Sequence, residues 1–206
     1  DLFQFGNISR MSAGNSATGG ASRENARPYF SRKIGLAGNG TPADIEYGGR
    51  VSGRVGRFNI GTLAVRQGAT DDVAADDMLV TRISANVLSD SRVGFIYTDG
   101  NPTSNVDNSV IGVDFNYVDS NIREGRQLQS NVFFQQSDTP GLEGDDASYG
   151  FGVALPASDG LRSRVGYKVV EKNFNPAMGF INRSNIEDYT ADIGYTHFFD
   201  GGPFQT

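Results

Sequence analysis

The chain holds one histidine, His197, and no cysteine, so a Ser/His/Asp arrangement has a single place to form and thiol chemistry has none. His197 shares a strand face with Tyr195 and Phe199 close to a strand end. That setting suits an interfacial structural residue better than a general base. Zinc of the ordinary kind lacks ligands here. Carboxylates gather in two loops, Asp71, Asp72, Asp76 and Asp77 in one and Glu143, Asp145 and Asp146 in the other. Calcium prefers such oxygen-rich loops, but neither has the alternating ligands and closing glutamate of an EF-hand, so both read as solvated acidic loops. Glycoside hydrolysis would need two carboxylates across a cleft, one with a raised pKa, and no spacing in the chain builds that pair. No enzyme, cofactor or metal site is expected from these residues.

A second set of polar residues is more informative because each member sits on a strand opposite apolar neighbours. It comprises Arg82, Asn86, Asp114, Asn116, Gln129, Asn131, Arg162, Arg164, Lys168, Asp188 and Asp192. Facing a common interior, such mixed charges could select a polar solute, or pair with one another and fill the space. Both readings follow equally from the residue types.

The elements that place them are strands. Ile111, Val113, Phe115 and Tyr117 alternate with Gly112, Asp114 and Asn116, the period-two pattern of a strand separating two media. The same pattern predicts strands at Ile45 to Val55, Phe58 to Gln67, Met78 to Leu88, Arg92 to Asp99, Val110 to Val118, Gln127 to Ser137, Ser148 to Leu155, Leu161 to Lys172 and Glu187 to Phe199. Most have the ~9–11 residues of a tilted membrane strand, against a mode of ~5–6 in soluble sheets. Phe58 to Gln67 alternates least cleanly, because Ile60 and Leu63 fall on opposite faces. Short turns alternate with long polar loops at 68–77, 100–109, 138–147 and 173–186, with only 119–126 of middling length. Residues 1–44 form a loop-rich segment in which 11–25 has no periodicity, and a short strand is expected near 29–36.

Bulk properties narrow the classes. A net charge of −6 with scattered arginines argues against nucleic acid. No apolar run approaches the ~20 residues of a spanning helix, and mean hydropathy is −0.37. A transmembrane barrel keeps such a soluble-looking mean because half of each strand faces its polar lumen. The tyrosines at 97, 117, 149, 167, 189 and 195 fall on apolar faces, mostly near strand ends where an aromatic girdle would lie, and glycine is frequent on the polar faces. The fold class that follows is all-β, an antiparallel up-and-down transmembrane β-barrel over 45–206, with outer-membrane lipid as its partner. The alternative is a soluble β-barrel or sandwich that binds an apolar small ligand inside.

Three motifs carry a family resemblance: Tyr29-Phe30-Ser31-Arg32-Lys33-Ile34-Gly35, Gly53-Arg54-Val55-Gly56-Arg57-Phe58-Asn59-Ile60-Gly61, and Phe174-Asn175-Pro176-Ala177-Met178-Gly179-Phe180-Ile181-Asn182-Arg183. In this order they resemble an uncharacterised Gram-negative outer-membrane β-barrel family, a domain of unknown function that follows a carbohydrate-binding-module family 9-like domain. The resemblance implies a cell outer-membrane location and a pore, transporter or surface scaffold tied to saccharide through an upstream domain. A glycan-active enzyme whose catalytic domain lies elsewhere in the full protein is a further reading. Family barrels are longer than this chain, and Phe204-Gln205-Thr206 lacks a terminal aromatic. The expectation is an internal fragment of about nine or ten strands that need not close on itself.

Overall fold

The computed structural model describes residues 2–6, 25–120, 122, 126–157 and 160–197. Among the described residues nine strands make one sheet: β1 (Ile45–Val55), β2 (Phe58–Gln67), β3 (Asp76–Val87), β4 (Ser91–Asp99), β5 (Ser109–Asp119), β6 (Leu128–Asp138), β7 (Ala147–Leu155), β8 (Gly160–Val170) and β9 (Ile186–Thr196). Each pairs antiparallel with the next, in sequence order from β1 to β9. The sheet is an open up-and-down arrangement, since β1 and β9 are not paired with each other. Among the described residues no helix is long and apolar enough to cross a membrane.

The expected strand bounds hold to within a residue or two over most of the sheet. The eighth strand stops at Val170 instead of Lys172 because Glu171 leaves the ladder at the start of β7. There its N–H donates to the Ala147 carbonyl at 3.0 Å and its carboxylate accepts from the Ala147 N–H at 2.8 Å. The ninth ends at Thr196, and 198–199 lie outside the described residues, as do 11–24 of the expected aperiodic segment.

Register carries apolar rows across one face, here called the outer face. Val113 lies opposite Phe95 and Phe134, and Phe134 opposite Tyr149. In the next row Phe115, Val132, Phe151, Tyr167 and Tyr189 follow one another from β5 to β9. The other, inner face is covered by residues 2–6, 25–37 and 174–181. Phe3, Met78, Val80 and Met178 form one buried cluster there, with Leu63, Val65, Tyr29 and Ile34 packed against it. Ala26, Val110, Val170 and Phe174 form another. Leu63 therefore points inward and Ile60 outward, and both are apolar because the inner face turns apolar beneath the covering segments.

The strand expected near 29–36 is a correction. Ser31–Lys33 form a 3-10 turn, with isolated bridges Arg27 to Phe180 and Leu36 to Pro42 on either side. The segment lies over the inner face, where no sheet edge is offered to it. Gly35 at φ +81° then turns the chain back, and its N–H is fixed by Gln67 Oε1 at 2.9 Å.

Asn108, at the start of β5, ties the loop before β9 to this scaffold. Its Nδ2 donates to Thr139 Oγ1 and to the Asn175 carbonyl, each at 2.7 Å, while its Oδ1 accepts the Ala177 N–H at 3.0 Å. Truncation would orphan buried partners at about 1–3 kcal/mol. Asn108→Ala should therefore leave the sheet intact but speed trypsin cleavage after Lys172 and Arg183. Unchanged cleavage rates would show that the loop is held by other contacts.

Candidate functional site

The inner face of the central strands is built around a buried ion pair. Arg82 on β3 and Asp114 on β5 are each 4% exposed, with Nη2 to Oδ1 at 2.6 Å. The intervening strand contributes Gly94, where an added Cβ would collide with the Arg82 guanidinium. Asp114 Oδ1 is close to Arg82 without being aligned as a hydrogen bond. Its Oδ2 accepts from Asn116 Nδ2 at 3.0 Å and, more weakly, from the Gly6 N–H at 3.4 Å. Asn131 on β6 continues the chain, its Nδ2 donating to Asn116 Oδ1 at 2.8 Å and to the Phe115 carbonyl at 3.2 Å.

Residues 2–6 lie on this network. Phe5 sits 5.4 Å from the Arg82 guanidinium, in cation–π contact, and meets the Phe133 ring edge-to-face at 6.0 Å. A Cβ on Gly112 would come within 2.7 Å of Phe5, and one on Gly61 would strike Leu2. Phe3 packs edge-to-face with Tyr29 at 5.2 Å. Burial raises the Tyr29 pKa above its ordinary value, with Arg50 opposing.

Of the residues expected to line an interior, Arg82, Asp114 and Asn131 are buried together with partly buried Asn116. Gln129 is half-buried and donates to Gln127 at 2.6 Å. Lys168 is buried opposite Asp188, and Arg164 pairs in register with Asp192, towards the open edge. Arg162 stands 3.9 Å from Asp192, both partly exposed. Asn86 is exposed near the β3–β4 turn and is not brought to the cluster. His197 is exposed just past β9.

Sequence reasoning did not foresee Phe5, Gly6 or Phe133 as parts of this site, nor the anchoring amides. Gln67 donates to the Pro102 carbonyl and Gln135 to the Ala26 carbonyl, at 2.8 and 2.7 Å. Asn25 Nδ2 donates to the Arg183 carbonyl at 2.6 Å, and its Oδ1 accepts from the Asn182 and Arg183 N–H groups. For Gln67 and Gln135 the available signal was an amide at an inward position in the long-loop half of a strand, whereas Asn25 lies on no strand.

The acidic loops serve local ends. Asp76 accepts the Asn101 N–H at 2.8 Å and Asp77 pairs with Arg66 at 2.6 Å. Among the described residues no three acidic, histidine or cysteine side chains lie together as a metal site would require. Near the loops a cavity of about 360 Å³ is lined by Lys33, Asn101, Thr103 and Asn175 among others. Its asparagines are engaged within the protein: Asn101 caps Thr103 and Val106, and Asn175 binds Ser137 and Thr139.

The outer face has the opposite character. Ile111 and Val113 are each 50% exposed, as is Val132, and Phe134, Phe151 and Val165 are similarly open. Tyrosine hydroxyls at its margins meet carboxylates: Tyr47 donates to Asp77, Tyr97 to Asp99 and Tyr189 to Glu187 near the long loops, and Tyr117 to Asp119 near the short turns. No family model, curated protein or solved structure matches the chain.

Removing one partner of a buried pair leaves an uncompensated charge, a loss of about 3–5 kcal/mol, whereas an apolar replacement of both is far milder. Arg82→Met should lower the urea midpoint in detergent micelles strongly, and adding Asp114→Leu should restore much of it. A double variant as unstable as the sum of the singles would deny the coupling.

Proposed function

We propose that the chain is a segment of a bacterial outer-membrane β-barrel whose outer face meets lipid, and that it works as a surface scaffold or gated transporter instead of a standing open pore. One observation carries the reading. The sheet buries Arg82, Asp114, Asn131 and Gln135 on one side and exposes continuous rows of aliphatic and aromatic groups on the other. A soluble protein would leave these contiguous exposed rows in water, where large apolar patches mark an interaction surface. In lipid the same rows are matched to their medium, and the hydrogen-bonded ladder leaves no unpaired backbone between strands.

The height also fits. On β8 the outward positions run from Leu161 to Val169, a rise of about 27 Å at ~3.4 Å per residue that a tilt of ~35–45° brings to roughly 20 Å, close to the ~25 Å apolar band of outer-membrane barrels. Tyrosine rings in the apolar rows with hydroxyls on marginal carboxylates suit the two edges of such a band. The filled inner face around Phe5 favours a scaffold or gated path over free conduction. A tie to saccharide enters through the family resemblance alone.

The chain contains no tryptophan, so single reporters are unambiguous. In liposomes of brominated phospholipid, fluorescence of Val113→Trp should be quenched several-fold more than that of Val106→Trp, which lies in the β4–β5 loop. Equal quenching at both positions, or a protein that stays monomeric and soluble with detergent removed, would overturn the membrane reading.

A further inference from the structure

We propose that the inner face of β2, β3, β5 and β6 is a peptide-binding groove, filled in cis by residues 2–6, whose ligand is a short peptide of the form Leu-Phe-x-Phe-Gly that enters in a turn at its first two residues. The groove has distinct positions for distinct side chains. Gly61 opens a recess for Leu2. Met78, Val80 and Met178 enclose Phe3, which is 9% exposed. Gly112 opens the floor under Phe5, with the Arg82 guanidinium and the Phe133 ring as its walls. Asp114 then takes the backbone N–H of Gly6.

This division of labour is that of peptide recognition, in which separate side-chain pockets give specificity and a fixed polar group reads the backbone. The glycines are spaces that match a ligand's side chains, because any side chain at Gly61 or Gly112 would occupy the ligand's own volume. The polar floor has contacts of its own beneath the peptide: Arg82 and Asp114 pair with each other, Asn116 donates to Asp114, and Asn131 donates to Asn116. Residues 2–6 meet the sheet through these side-chain and backbone contacts. A peptide of the same chemistry supplied in trans therefore competes for the same groove. The inference does not depend on lipid contact at the outer face.

The test uses the full chain carrying a protease site between residues 7 and 24, folded first and cut afterwards. A fluorescent peptide, Asp-Leu-Phe-Gln-Phe-Gly, should then bind saturably with one equivalent per barrel segment. Replacing both of its phenylalanines by alanine should weaken it at least tenfold, and uncut protein should bind little. Two results would overturn the proposal: cut protein that keeps its heat-modifiable gel mobility but takes up no peptide, and cut protein that unfolds, since then residues 2–6 are a piece of core. Val113→Trp quenching by brominated lipid, measured on the same cut sample, reports the membrane reading separately.

Discussion

Burying Arg82 beside Asp114 removes two charges from water, at several kcal/mol per ion, and a contact at 2.6 Å offsets this only if the remaining polar atoms are also met. The surroundings follow from that requirement. A side chain at position 94 would separate β3 from β5, so the strand between them carries glycine there. Asp114 needs further donors, which Asn116 and the Gly6 backbone provide. Arg82 needs cover from solvent on its open side, and the Phe5 ring lies over it. Residues 2–6 are thus fixed by the same electrostatics that position the central strands.

The pair also explains why polarity is distributed as it is. A strand's register has a period of two, so sliding any one strand by a residue would carry its charges to the outer face and its aliphatic groups inward. On β5 such a slip would take Asp114 from Arg82 and place Val113 or Phe115 against the guanidinium. The inner ion pair and the outer apolar rows therefore specify the same register from opposite sides. Neither would be stable with the other displaced. Towards the long loops the requirement relaxes, and the inner face changes from Arg82 and Ser84 to Val80 and Met78 as the covering segments seal it from water.

Most of the sheet was legible because alternation is local: β1 and β2 fall on the bounds that the pattern predicts, and Asp114, Arg82 and Asn131 were assignable to one face from their immediate neighbours. What was not legible depends on distance along the chain. Gly6 and Asp114 are 108 residues apart, and Gln135 and Ala26 are 109 apart, so no window of sequence contains both partners. Phe133 interrupts the polar face of β6, and its counterpart, Phe5, lies far away in the sequence. Tyr29-Phe30-Ser31 reads as a strand by composition, yet Tyr29 packs against the buried cluster of the inner face and Ser31–Lys33 form a turn there. Ile60 and Leu63 seemed inconsistent for the same reason: alternation cannot tell an apolar outer face from an apolar inner one.

The strand count sets a last constraint. In a sheet where each strand is antiparallel to the next, nine strands leave β1 and β9 running in the same direction. A seam joining them would be parallel, with slanted and slightly weaker bonds, and an antiparallel seam would require an odd number of further strands between them. The side chains on these edges are not neutral to the choice. Register places Arg50 and Arg54 on the inner side of β1, opposite Leu63 and Asn59, and Asp188 and Asp192 on the inner side of β9, opposite Lys168 and Arg164. A strand added beside β9 would be favoured by inward cations, and one beside β1 by inward anions. Both edges thus ask for the same device that organises the centre, an inward ion pair spanning neighbouring strands with apolar groups on the reverse side.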